Sequence, residues 1–117
     1  MMHNPTAFPR LGPGTAPLAV AGHAHCGQIA LPGLPSWSYL TLTEQERVVV
    51  DGFATADYGS EGNRLFVICG IGFSLAPVRI GAPPQVEYIE LTPVDIPDVG
   101  AWDLAIRRLA LPVSRCA

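Results

Sequence analysis

The chain has 117 residues and a formal net charge of −3, and its hydrophobic residues (49%) far outnumber its charged residues (15%). All seven Lys or Arg positions are arginine, and they are scattered along the chain, which excludes the clustered basic surface that nucleic-acid binding needs. The longest apolar run, Leu65 to Leu75, is shorter than the roughly 20 residues that cross a bilayer. We therefore expect one small domain that binds neither nucleic acid nor membrane.

The first 35 residues form a segment of different composition from the rest of the chain (36–117). Prolines recur every four residues, at Pro5, Pro9, Pro13 and Pro17, with glycines between them. Proline removes a backbone donor and blocks helices, and glycine weakens strands. This composition predicts an extended N-terminal arm, and a disordered tail is the ordinary alternative.

The arm is more apolar than most disordered tails. Arg10 is the only Asp, Glu, Lys or Arg residue before Glu44, and large apolar side chains lie along the whole segment. Such a segment needs a partner surface to cover it. We predict that the partner is contacted by four arm residues: Phe8, Arg10, Leu11 and Leu18.

Strand patterns begin at Ser36. Residues 37–43 alternate, and if Leu40 and Leu42 face the core, Trp37 and Tyr39 point outward, where they could stack on a sugar ring or another protein. A sheet covered on both faces would instead make these two rings part of the core. Trp37 and Tyr39 are therefore further candidate partner contacts.

Residues 47–55 contain three consecutive valines followed by a glycine, which favours a second strand. Thr43 and Glu46 fit a capping box, so a helix over 44–56 is the competing prediction. The polar residues 58–63 predict a hairpin turn. The apolar run 65–75 then predicts a strand in the middle of a sheet, because both of its faces are apolar.

The last third of the chain predicts two more strands and a helix. Residues 78–80 fit a short edge strand, and residues 86–91 fit a longer one. Trp102, Ala105, Ile106 and Leu109 follow helical spacing, which predicts a helix from about Val99 to Leu111. The predicted fold is mainly β: a small antiparallel β-sandwich or barrel with an extended Pro/Gly-rich N-terminal arm and a short C-terminal helix.

The three cysteines, Cys26, Cys69 and Cys116, show no zinc-ribbon or disulfide-framework spacing, and the sequence leaves a single disulfide open in an oxidising compartment. Cys69 lies in apolar company, which predicts an inert buried thiol. His23, His25 and Cys26 are the one cluster of metal-ligand types, and an extended backbone would put the two imidazoles on one face. Packing of small and polar residues is the ordinary reading of this cluster, so we predict no metal and no cofactor.

No set of residues predicts catalysis. The imidazoles all lie in the arm, Cys69 lies in the middle of an apolar strand, and the paired carboxylates fall in predicted turns or on solvated faces. We therefore expect a non-enzymatic structural protein of a larger ordered assembly, which binds neighbouring subunits through its arm. A phage virion component, such as a capsid decoration (cement) protein or a small neck or tail protein, is the expected setting.

The expected partners are other protein subunits, among them a capsid or tail protein and further copies of this chain. The expected location is the virion, or the cytoplasm of the producing cell before assembly. A carbohydrate- or ligand-binding β-sandwich that uses Trp37, Tyr39 and Tyr88 is the alternative function. A metal-binding module on His23, His25 and Cys26 is a third, weaker hypothesis.

Overall fold

The computed structural model describes residues 1–31, 34–38, 51–75, 77–94 and 101–110, which form mainly strands with little helix. The strands in these ranges are β1 (Ala19–Ala21), β2 (Ala30–Leu31), β3 (Leu34–Ser38), β4 (Gly52–Phe53), β5 (Leu65–Val67), β6 (Gln85–Val94) and β7 (Ala101–Ala110). They build a three-stranded sheet in the order β1-β5-β4 and two antiparallel pairs, β2-β3 and β6-β7. The predicted sandwich or barrel is not confirmed.

Strand β5 lies at the centre of the three-stranded sheet, as its apolar faces predict. It pairs in parallel with β1 and antiparallel with β4, and all three of its residues are buried. The predicted strand over 65–75 is nevertheless too long, because β5 ends at Val67 and the backbone turns at Gly70, whose φ is 61°. The apolar residues beyond that turn lie on the surface.

The N-terminal arm packs on the chain's own body. Asn4 caps a short 3-10 helix, Pro5–Arg10, by accepting a hydrogen bond from the Thr6 N–H at 2.9 Å. This helix brings Phe8, which is 0% exposed, into one core cluster with Ala19, Ala21, Leu65 and Val67. Residues from 1–35 and from 36–117 therefore fill the same hydrophobic core.

Side chains of the turn at 58–63 hold the middle of the arm. The buried Asn63 accepts a hydrogen bond from the Ala16 N–H at 2.8 Å and donates one to the Gly12 carbonyl at 2.9 Å. Ser60 donates to the Leu11 carbonyl at 2.7 Å. A segment with so many prolines and glycines cannot form a long strand ladder. The side chains of Asn63 and Ser60 form hydrogen bonds with its backbone groups instead.

The same turn is shaped to the ring of Phe8. Tyr58 stacks on that ring, with 6.1 Å between the centroids, and Gly59 follows with a φ of 108°. A Cβ atom at position 59 would lie 2.6 Å from the Phe8 ring. Glycine is required here both by its backbone conformation and by the close approach of the ring.

The predicted C-terminal helix over 99–111 is not confirmed, because Ala101–Ala110 form strand β7. This strand pairs with β6 in ten consecutive pairs, from Gln85 opposite Ala110 to Val94 opposite Ala101. The predicted strand at 86–91 is confirmed as part of β6. Helical spacing is a weak preference, and a ladder that satisfies ten residues of a neighbouring strand overrides it.

The described residues include only part of the remaining predicted strands. Trp37 and Ser38 belong to β3, and β4 lies within the strand predicted at 47–55, whereas 39–50 fall outside the described residues, as does most of the competing helix over 44–56. The turn at 58–63 joins β4 to β5 as predicted. Among the described residues, no helix has the length and apolarity needed to cross a membrane.

Candidate functional site

The loop from His23 to Gln28 concentrates unusual backbone conformations, and we call it the strained loop. Four of its non-glycine residues have positive φ angles: His23 (69°), His25 (48°), Cys26 (54°) and Gln28 (50°). Such conformations each cost on the order of 1–3 kcal/mol and persist only where the surrounding structure imposes them. Strain of this kind is concentrated at functional sites, which makes this loop a candidate part of one.

Arg79 joins the strained loop to the segment 72–83. Its guanidinium donates to the carbonyls of Ala82 at 2.6 Å, Gly72 at 2.5 Å and His25 at 3.1 Å. From the loop side, Gln28 Oε1 accepts a hydrogen bond from the Ser74 N–H at 2.6 Å. Burial lowers the pKa of Arg79 from its usual value, but a guanidinium stays charged at neutral pH and keeps its donors.

Replacing Arg79 with lysine is expected to lower the free energy of unfolding by about 1–3 kcal/mol. A single ammonium group cannot reach carbonyls on three sides, and the ones it leaves lose charge-assisted hydrogen bonds. Chemical denaturation followed by circular dichroism measures the change. Arg10→Lys, at an exposed position, is the matched control and should change the stability by less than about 0.5 kcal/mol. Equal losses in the two variants would contradict this role of Arg79.

Three potential metal ligands, one of them in the strained loop, lie close together: Cys26, Asp51 and Cys69. We call them the cysteine site. Cys26 is joined to Cys69 by a disulfide, with 4.6 Å between their Cα atoms. The two sulfur atoms and a carboxylate oxygen of Asp51 all lie within 4.8 Å of one another. The burial predicted for Cys69 is confirmed, but its sulfur is bonded to Cys26 and is not a free thiol.

The histidines of the loop point to different places. His23 Nδ1 lies 3.1 Å from Nε2 of His3, and the two rings meet edge to face. The ring of His25 lies against Gly72, and its pKa is lowered, first by burial and then by the positive charge of Arg79. The predicted common face of the two imidazoles is therefore wrong, because the positive φ angles break the alternation of an extended chain.

An exposed apolar surface lies on the segments that Arg79 and Gln28 hold together. Ile29 and Ile80 pair in a parallel β-bridge. Ser74, which lies between the exposed residues Phe73 and Leu75, donates its backbone N–H to the side chain of Gln28. The large apolar side chains on these segments are each between 43% and 106% exposed. We call them the apolar face: Ile29, Leu31, Ile71, Phe73, Leu75, Val78 and Ile80.

A separate surface cavity of about 500 Å³ lies beside β4 and β5, where it is lined by residues 53–56 and 61–65. The Arg64 guanidinium lies 4.6 Å from the centroid of the Phe53 ring, which itself packs edge to face on Phe66. Packing within the chain therefore explains why aromatic rings and a guanidinium line this cavity.

The predicted partner contacts lie in different environments. Phe8 is in the core and offers no surface to a partner, whereas Arg10 is exposed and Leu11 and Leu18 are partly exposed. The backbone of Trp37 belongs to β3, and Tyr39 lies outside the described residues. Tyr88, from the ligand-binding alternative, is exposed on β6.

Sequence reasoning missed Asp51, Arg79 and most of the apolar face. Three residues of the apolar face, Ile71, Phe73 and Leu75, fall in the strand predicted to be buried, although the glycines at 70 and 72 signal a break in that run. Asp51 and Cys69 are distant from Cys26 in the sequence, and no spacing motif joins them. Comparisons with known protein families, curated proteins and solved structures found no match to this chain.

Proposed function

We propose that the chain is a non-enzymatic structural protein that binds neighbouring subunits in a larger ordered assembly. The apolar face carries this proposal, because it exposes seven large apolar side chains on segments that hydrogen bonds hold together. Exposed large apolar side chains that lie close together on a soluble protein mark interaction sites, and Ile29 and Ile80 are paired directly in a β-bridge. The sequence has few charged residues, so few charged side chains oppose burial of the apolar face against a neighbouring subunit.

A virus particle is the setting that we favour, with the chain as a capsid decoration (cement) protein or a small neck or tail component of a phage. The small size, the mainly β fold and the apolar surface suit a chain that functions packed among neighbours. Contacts made by the arm would add to the apolar face through Arg10, Leu11 and Leu18. Before assembly the chain would reside in the cytoplasm of the producing cell.

The test compares the solution mass of the full chain with that of a double variant, Phe73→Ser with Ile80→Ser, by light scattering at rising protein concentration. We expect the unmodified chain to self-associate and the variant to remain at the mass of a single chain, because association would bury the apolar face. The control is Leu91→Ser, which removes an exposed apolar side chain of β6 that does not belong to the apolar face. It should associate like the unmodified chain.

A chain that stays monomeric at every concentration would contradict self-association through this face. Quenching of its tryptophan fluorescence by a sugar would then favour the ligand-binding alternative. Deleting the arm is a poor test, because Phe8 and Ala19 are core residues and their loss would unfold the protein. Point substitutions on the surface separate binding from folding.

A further inference from the structure

The cysteine site holds three groups that bind divalent metals, and they arrive from three separate parts of the chain. Cys26 lies in the strained loop, Asp51 lies directly before β4, and Cys69 lies two residues after β5. Their ligand atoms are within 4.8 Å of one another. Both cysteines are buried, whereas Asp51 is partly exposed, so a metal ion would enter the site from the side of Asp51.

The ligand atoms suit zinc. Zinc binds thiolate sulfur at about 2.3 Å and carboxylate oxygen at about 2.0–2.2 Å, so two sulfurs on one tetrahedral ion lie roughly 3.8 Å apart. Once the disulfide is reduced, the two sulfurs need to move apart only slightly to reach this distance. All three ligand atoms already lie within 4.8 Å of one another. Two thiolates and one carboxylate leave the fourth position to water.

We propose that the reduced chain binds Zn²⁺ through Cys26, Cys69 and Asp51, so that the same pair of cysteines forms either a disulfide or a zinc site. A dithiol reductant supplies two electrons and two protons to the disulfide, which becomes two thiols as the reductant forms its own disulfide. Zn²⁺ then forms two bonds to sulfur and one to the Asp51 carboxylate, and both thiol protons are released to water.

The zinc site would stabilise the strained loop in a reducing compartment, where the disulfide is absent. Metal binding to such a site contributes directly to folding free energy, because the unfolded chain does not hold the ligands together. The segments at 26 and 69 are thus joined in either redox state, and zinc would also join the segment at 51. Zinc binding at this site would affect folding stability and does not depend on what the apolar face binds.

Titration of the fully reduced chain with Co²⁺ tests the proposal, because a cobalt thiolate gives a strong charge-transfer absorption in the near ultraviolet and Zn²⁺ should abolish it by displacement. All samples carry Cys116→Ser, so that the third thiol cannot contribute. We expect a one-to-one titration for the reduced chain and no absorption for the oxidised chain. Asp51→Asn should weaken Co²⁺ binding at least about tenfold, and Cys69→Ser should abolish the absorption.

The histidines provide the competing metal site, so His23→Gln is the matched control and should titrate like the chain that carries Cys116→Ser alone. Several outcomes would overturn the proposal: no thiolate absorption, equal affinity in Asp51→Asn, or loss of binding in His23→Gln. If reduction unfolds the chain, recovery of its circular dichroism spectrum on addition of Zn²⁺ supports the proposal. Failure of Zn²⁺ to restore the spectrum contradicts it.

Discussion

Replacing Phe8 with alanine is expected to lower the free energy of unfolding by roughly 3–5 kcal/mol, a large share of the 5–15 kcal/mol that holds a typical domain folded. The Phe8 ring is fully buried, packs among Ala19, Ala21, Leu65 and Val67, and stacks on Tyr58. Alanine would leave a cavity that the three-stranded sheet cannot close, because Ala19 and Ala21 are too small to fill it. Denaturant unfolding followed by circular dichroism measures the loss.

Phe73→Ala is the matched control, because the same atoms are removed from a side chain that is 56% exposed. Its effect on the stability of the monomer should stay below about 1 kcal/mol. Similar losses in the two variants, or a loss below about 1 kcal/mol for Phe8→Ala, would show that the arm does not pack on the body. The pair of variants thus tests the fold of the arm directly.

Loss of the disulfide between Cys26 and Cys69 is expected to lower the free energy of unfolding by about 4 kcal/mol in the absence of metal. The bond closes a loop between residues 43 positions apart, and a loop of that length restricts the unfolded chain by about this amount in the chain-entropy account. Unfolding of the oxidised chain and of Cys69→Ala, both with chelator present, gives the difference.

Cys116→Ser is the control for that comparison and should leave the stability of the oxidised chain unchanged, because the disulfide does not include this residue. A loss below about 1 kcal/mol in Cys69→Ala would contradict the disulfide. Adding Zn²⁺ to reduced Cys116→Ser should recover part of the stability, whereas Cys69→Ala should gain little. This last comparison connects the stability of the loop with the proposed zinc site.

Several features of the fold could be read from the sequence because they depend on neighbouring residues. The apolar faces of β5 placed it inside a sheet, residues 86–91 predicted a strand with mixed faces that is part of β6, and the polar residues at 58–63 predicted the turn between β4 and β5. Each of these predictions follows from the residues of a segment shorter than about ten positions. Composition also indicated that the arm needs an apolar surface to cover it.

What covers the arm was decided by the tertiary structure, since Phe8 is buried by the chain's own sheet and turn. The ladder between β6 and β7 likewise replaced the helix that the spacing of Trp102, Ala105 and Ile106 predicts. The cysteine site depends on positions 26, 51 and 69 coming together, and no local pattern joins them. Local preferences amount to tenths of a kcal/mol per residue, whereas burial of a ring or pairing of a whole strand contributes several, so long-range contacts determined these features.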